Sequence, residues 1–221
     1  MNQQNTSFDK QNLTINSGKW SVELDYENWH SDKKEIKPTQ SDIIIELSEE
    51  GNWDSVLRLV ISNEDMQKTC LIKGIQGSSY LHLADEKGNS QSVKIDDNNL
   101  IISLGFNFIS LNLNQLTLNW NLKPDMAEVF EFYDFQNDYL LRGEVEIHRI
   151  DKKGQIKWSY GGRDIWVNME GKPEVQIEEN TIRLLDFDSN EYLIDFDGNT
   201  LEDNPIKKTI KPKRKWWQLN K

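Results

Sequence analysis

The chain has 221 residues, of which 29% are charged, and its formal net charge at pH 7 is −11. The charge is unevenly spread, because residues 206–221 hold seven basic side chains and no acidic one. Residues 1–205 therefore carry −18. Such an acidic body excludes nucleic-acid binding by counterion release and favours attraction of a basic partner.

Cysteine content and hydropathy indicate the compartment. The only cysteine, Cys70, cannot form a disulfide within the chain, which fits a reducing environment. Residues 1–18 lack the pattern of a signal peptide, and every apolar run is far shorter than a membrane span. Two alanines against 22 asparagines suggest an AT-rich bacterial genome. We therefore expect a soluble, cytoplasmic bacterial protein.

The first half of the chain predicts a series of strands. Residues 1–17 are polar and rich in Asn and Gln, and we expect a frayed end there. Residues 20–26 alternate apolar and polar side chains, which is the period of a half-buried strand. Asp and Asn fill residues 96–99, a candidate sub-boundary. Further strands are predicted at residues 42–47, 53–61, 69–75, 80–84 and 92–95.

The second half contains repeated hairpins. Residues 145–158 and 182–201 each read as strand, turn and strand, with an Asp and a Gly in the turn. A third copy, residues 100–120, lies upstream. The copies recur at steps of 40 and 42 residues, which is the spacing of propeller blades, although ordinary meander hairpins also recur regularly.

These hairpins resemble the tryptophan-docking repeat of PQQ-type β-propellers, over residues 98–203. One copy has Asp151, Gly154 and Trp158 at the motif positions. The next has Asp195 and Gly198 but Leu201 in place of the Trp, and the first has Trp120 with Asn112 and Gln115 in place of the Asp and Gly. The resemblance implies β-meander packing and implies no quinone cofactor.

A closed propeller needs at least ~4 blades, and the sequence shows two and a half. We therefore predict an all-β fold, an antiparallel meander of hairpins that forms a β-sandwich, with a partial propeller-like repeat array as the alternative. Residues 1–205 are predicted to form a single domain, and residues 206–221 a basic C-terminal tail.

Catalytic and metal-binding motifs are missing from the sequence. His30, His82 and His148 are scattered without metal-ligand spacing, and we expect structural roles for them. Asp186, Asp188 and Asn190 begin like a calcium loop, but Glu191 stands where the glycine is required. No activated nucleophile is evident. We therefore expect no metal and no cofactor, and we favour a non-catalytic role over catalysis.

Two regions are candidates for contact with a ligand or partner. The loop of residues 161–166 carries Arg163, Asp164 and Trp166, and Trp29 and Trp53 share with Trp166 the polar neighbours of a sugar-stacking surface. Turn formation and core packing explain the same residues. In the tail, basic and aromatic side chains suit an anionic membrane or nucleic acid, but docking on the acidic body or a solvated end is favoured. These tail residues are Lys213, Arg214, Lys215, Trp216 and Trp217.

The sequence thus predicts a non-catalytic intracellular protein whose acidic surface binds a basic protein. The most concrete form is an immunity or inhibitor protein against a basic toxin. The alternative is a carbohydrate-binding module or a glycoside-acting enzyme that uses exposed Trp side chains and carboxylates.

Overall fold

The computed structural model describes residues 10–28, 37–40, 42–48, 55–77, 80–84 and 90–205. All regular structure in these ranges is β-strand, which confirms the all-β class. None of the described residues forms a helix of the length and apolarity needed to cross a membrane. The chain divides into two compact units, Met1–Trp166 and Val167–Lys221.

Seventeen strands are described, and they form one five-stranded and three four-stranded sheets. In chain order they are β1 Lys10–Ser17, β2 Trp20–Asn28, β3 Asp42–Glu46, β4 Ser55–Ser62, β5 Gln67–Ile75, β6 Val93–Asp96, β7 Asn99–Leu104, β8 Asn107–Asn112, β9 Thr117–Leu122, β10 Val129–Phe135, β11 Asp138–Gly143, β12 Glu146–Asp151, β13 Ile156–Gly161, β14 Val175–Ile177, β15 Ile182–Leu185, β16 Glu191–Ile194 and β17 Thr200–Asn204.

The N-terminal sheet has the order β1-β2-β4-β5-β3, and only the β3–β5 pair is parallel. The prediction of a frayed end is wrong from Lys10 onward, because β1 pairs with β2 along its whole length. Gln11 and Ile15 are buried. The Gln11 amide tolerates burial because it donates to the Leu81 carbonyl at 3.3 Å and accepts from the Leu81 N–H at 2.8 Å. The strand predicted at residues 80–84 is not formed.

The other three sheets repeat one plan. Strands β6–β9, β10–β13 and β14–β17 each form an antiparallel meander in chain order, which is the strand order of a propeller blade. Each meander also has a register shift between its third and fourth strands. Residues 96–99 span the β6–β7 turn, so the candidate sub-boundary lies inside one sheet. The division into units falls instead after Trp166.

The turn between the third and fourth strands is built alike in each meander. One side-chain oxygen, of Asn112, Asp151 or Asp195, accepts two backbone N–H bonds of 2.8–3.0 Å from residues two to four positions later. Gly154 and Gly198 then take φ of 81° and 82°, the left-handed region that glycine adopts without strain. The predicted hairpin turns are therefore confirmed.

A tryptophan links two of the meanders. The Trp120 indole of β9 donates to the Lys152 carbonyl at 3.2 Å, in the β12–β13 turn. Its ring lies so close to Gly154 that a Cβ there would be 2.7 Å from Trp120 Cγ. The Trp of one meander thus packs on the Asp–Gly turn of the next. The turn glycine is required both by its φ and by this contact.

The described part of the first unit packs in layers, with an apolar cluster on each face of one sheet. One face of the β6–β9 sheet joins the five-stranded sheet, so that Ile102 and Leu24 share a cluster. The other face joins β10–β13, where Phe108 packs on Phe132 with ring centroids 5.3 Å apart. Both faces of β7 and β8 are therefore buried, and the enclosed side chains include the polar Ser103, Asn107 and Ser110.

Candidate functional site

The described part of the second unit is strongly acidic. Residues 167–205 contain eleven acidic and two basic side chains, a formal charge of −9. Their sheet, β14–β17, buries one set of apolar side chains, and the charged groups of residues 167–205 are exposed or half-buried except for the buried Asp186. The buried set is Val175, Ile182, Leu184, Tyr192 and Ile194.

Strand β17 is an edge of this sheet. It pairs with β16, and no other described strand pairs with it. Every residue of β17 is exposed, and Leu201 retains 53% of its accessible surface. An edge strand with this exposure presents both charges and backbone hydrogen-bonding groups to a partner. The β17 acidic surface is defined here as Glu191, Asp195, Asp197, Glu202 and Asp203.

The register distributes these acids along the whole strand. Asp195 and Asp197 lie in the turn that precedes β17, and Glu202 and Asp203 lie within the strand. Glu191 is the cross-strand neighbour of Asn204, at the far end. The negative charge therefore follows β17 from one end to the other.

Hydrogen bonds keep part of this surface ionised. The Asn199 side chain, followed by backbone N–H groups of the turn, lowers the pKa of Asp195 below its ordinary value. Elsewhere in the sheet, Nε of Arg183 on β15 lies 2.9 Å from Glu178 Oε1 in the β14–β15 turn, and a second guanidinium nitrogen contacts Glu191 of β16. The single basic side chain of Arg183 thus forms ion pairs with two acids.

The calcium-like segment is a turn rather than an ion loop. The Asp186 carboxylate is buried and accepts bonds from the Asn190 backbone at 2.8 Å and from the Tyr192 hydroxyl at 2.9 Å. Its oxygens are therefore used inside the protein. Among the described residues, no group of three His, Cys, Asp or Glu side chains is placed to hold a metal ion.

The loop of residues 161–166 is fastened at its end. The Trp166 side chain is fully buried, its backbone N–H donates to the Glu144 carbonyl at 2.7 Å, and its carbonyl accepts from Arg142 at 2.7 Å. Asp164 is half-buried, and Arg163 is exposed. Of the three residues of this loop predicted to touch a ligand, only Arg163 is therefore open to solvent.

An ion-pair cluster beside this loop was missed by sequence reasoning. Glu131 accepts from Arg142 Nε at 2.9 Å and from the Tyr133 hydroxyl at 2.8 Å, and lies 3.5 Å from His82 Nε2. Burial alone would raise the pKa of Glu131, but contacts from His82 and Arg142 hold it well below its ordinary value. Glu131 and Arg142 are cross-strand partners, so the register of the β10–β11 hairpin could have predicted this ion pair.

Two reactive residue types lie in the core. His148 is fully buried, with Nδ1 2.8 Å from Ser159 Oγ and Nε2 3.9 Å from Asp125. Burial lowers the pKa of His148 to about 4, although Asp125 opposes that shift. Burial raises the pKa of the Cys70 thiol to about 12. Neither group is a charged, accessible reactant at neutral pH.

The remaining predicted contacts fall outside the described residues. These are Trp29 and Trp53 and the tail residues Lys213, Arg214, Lys215, Trp216 and Trp217. Of the four described tryptophans, Trp20 and Trp166 are buried, and Trp120 and Trp158 are half-buried.

Comparison with known proteins shows weak structural similarity. No protein-family model matches the chain, and no curated protein matches it. The chain is similar to the computationally designed Ika4 protein, at 13% identity and a TM-score of 0.43 over 58% of this chain and 80% of that one. It is similar to BamB from Moraxella catarrhalis, at 13% identity and a TM-score of 0.40 over 67% of this chain and 42% of that one. It is similar to the computationally designed Ika8 protein, at 10% identity and a TM-score of 0.44 over 88% of this chain and 61% of that one.

Proposed function

We propose that this chain is a non-catalytic, cytoplasmic bacterial protein that binds a basic protein through the β17 acidic surface. An immunity or inhibitor protein against a basic toxin is the form that suits it best. The observation that carries the proposal is a charge of −9 within 39 residues, on a sheet whose edge strand is exposed at every position.

Electrostatics supports this role in two ways. A surface of one sign raises the rate at which an oppositely charged partner arrives, and it rejects partners of like charge. An exposed strand edge adds backbone hydrogen bonds, which give affinity once the partner is aligned. The exposed Leu201 side chain supplies an apolar contact at the same edge.

The scaffold supports a finer proposal about the fold. The Trp120 indole docks on the Gly154 turn of the following meander, as the resemblance to PQQ-type repeats implies for a tryptophan-docking motif. We propose that β6–β9 and β10–β13 are repeats of this type that hold the chain together without binding a quinone.

Capture from the native lysate tests the function with three immobilised proteins: wild type, Glu202→Lys/Asp203→Lys, and the control Glu64→Lys/Asp65→Lys. Both double variants change the charge equally, and Glu64 and Asp65 are exposed residues of the first unit. We expect a basic protein on wild type and control, released by about 0.5 M salt and missing from the β17 variant. Equal capture by all three proteins would refute the proposal.

The sugar-binding alternative relies on exposed tryptophan side chains beside carboxylates. The four described tryptophans are buried or half-buried, and the exposed aromatic side chains among the described residues are Tyr80 and Phe187. The exposed acidic edge strand therefore supports protein binding better than sugar stacking.

A further inference from the structure

The chain leaves β17 at the acidic end of its sheet. Asn204, the last residue of β17, lies opposite Glu191, and Pro205 follows as the last described residue. Glu191 directly follows the 186–190 turn, where Phe187 keeps 41% of its surface exposed. The described chain therefore ends opposite Glu191, the residue that directly follows the turn containing Phe187.

The composition of residues 206–221 complements this surface. The segment holds seven basic side chains and no acidic one, together with Trp216 and Trp217. Residues 167–205, to which it is joined, carry −9. At physiological salt, exposed opposite charges attract when the distance between them is no greater than the Debye length of ~8 Å. The tryptophans match the exposed Leu201 and Phe187 in character.

We propose that the basic tail, residues 206–221, docks on the β17 acidic surface of its own chain and competes there with the basic partner. The competition rests on the proposed function, whereas the docking does not. The tail would thereby act as a built-in brake on partner binding.

Length and tethering both permit this docking. Sixteen extended residues reach about 50 Å, whereas the five residues of β17 span about 17 Å, so the tail can fold back along the whole strand. A short tether holds a segment near its site at an effective concentration in the millimolar range. Weak electrostatic contacts then suffice to occupy the surface.

Paramagnetic relaxation in the full-length protein tests the docking. A spin label is attached at Gln218→Cys, and Cys70 does not compete for the label because its side chain is fully buried. We expect the amide signals of Leu201, Glu202 and Asp203 to broaden strongly in low salt and to recover in about 0.5 M salt. Unbroadened β17 signals would overturn the proposal.

A matched control keeps the label and the length of the tail but replaces its seven basic residues by Gln. This neutral tail is expected to leave the β17 signals sharp. Broadening that persists with the neutral tail refutes an electrostatic contact. Labelled chain mixed with unlabelled, isotope-enriched chain should give no broadening. If it does, the tail reaches a second copy and the intramolecular brake is wrong.

Competition is measured with a synthetic peptide of residues 206–221 added to full-length protein. We expect the neutral-tail variant to bind the peptide with a Kd roughly tenfold lower than wild type, because its own tail no longer occupies the surface. Equal Kd values, or no binding to the variant, would overturn the brake. Neither experiment contains the partner. Failure of the lysate capture alone therefore removes the proposed function and leaves the docking intact.

Discussion

Two sheets of this molecule share a backbone plan and differ in their side chains. Sheets β6–β9 and β14–β17 are both four-stranded meanders with the same turn chemistry and the same register shift. Residues 93–122, which span the first sheet, contain three charged side chains, whereas residues 175–204, which span the second, contain ten. A single hairpin plan thus yields an internal layer in one place and a charged surface in the other.

The polar groups of the two sheets show how this difference is achieved. In β7–β9 they are neutral, and several hydrogen-bond to one another, as when Asn107 donates to Asn121 at 2.7 Å and Asn119 donates to Ser110 at 3.0 Å. Neutral amides can be covered at low cost once they are hydrogen-bonded, whereas ionised carboxylates cannot. The acids of residues 167–205 are accordingly exposed or half-buried, and the one exception, Asp186, is hydrogen-bonded to Asn190 and Tyr192.

Removal of a core ring should give the largest contrast. Phe108 is fully buried among Trp120, Phe132 and Tyr139. We expect Phe108→Ala to lower the free energy of unfolding by about 4 kcal/mol. Leu201→Ala, on the exposed edge, should cost less than about 0.5 kcal/mol. Chemical denaturation measures both, and equal losses would contradict the contrast.

Local patterns made the strands and turns predictable, and long-range contacts set the limit. Period-two alternation and Asp–Gly turns located the hairpins, because side-chain period and glycine φ are properties of a few neighbouring residues. Strand β1 was missed because its Gln11 becomes buried only through Leu81, seventy residues later. The motif predicts that Trp120 packs on a turn. The turn that it contacts lies in the next sheet, and that partner is set by a long-range contact.

Candidate sites were harder to predict, for the same reason. Trp166 follows the polar Arg163 and Asp164, yet Glu144 and Arg142 hold it in the core. The acidic second unit was visible in the sequence as a local excess of acid over residues 167–205. The sequence did not show that these acids are exposed, because their exposure depends on which strand becomes the sheet edge.

The buried histidine should make the first unit sensitive to acid. The folded-state pKa of His148 is about 4, below its ordinary value of 6.5, so the unfolded chain binds this proton more readily. The free energy of unfolding should therefore fall as the pH drops from about 6.5 to about 4, by about 3 kcal/mol. Urea denaturation at a series of pH values measures this loss.

The variant His148→Gln is the matched control for that titration. It removes the titrating ring, so the difference in stability between wild type and variant should change over this pH range. Lowered carboxyl pKa values, such as that of Asp138, act at lower pH, since their contribution is lost only as the pH falls through the folded value. A constant difference between the two proteins would contradict the assignment.

The docking turn should tolerate a methyl group less well than an open turn. Gly154 has φ of 81° and faces Trp120, whereas Gly171 has φ of 70° and nothing within 4 Å of the position that a Cβ would take. Gly171→Ala then reports backbone strain alone, about 1 kcal/mol. Gly154→Ala adds a clash worth about 2 kcal/mol more. Equal costs by denaturation would mean that Trp120 does not restrict this turn.

The smallest change in stability is expected on the β17 acidic surface. Glu202 and Asp203 are exposed on the edge strand, so Glu202→Gln/Asp203→Gln should change the free energy of unfolding by less than about 0.5 kcal/mol. The same double variant should bind the tail peptide more weakly in a neutral-tail background, because two of the attracting charges are gone. Calorimetric titration of that pair, together with denaturation, separates the two effects. A loss of stability above about 1 kcal/mol would show that these acids support the fold. The side chains of β14–β17 would then stabilise the fold as those of β6–β9 do, and the contrast between a packed layer and a binding surface would be wrong.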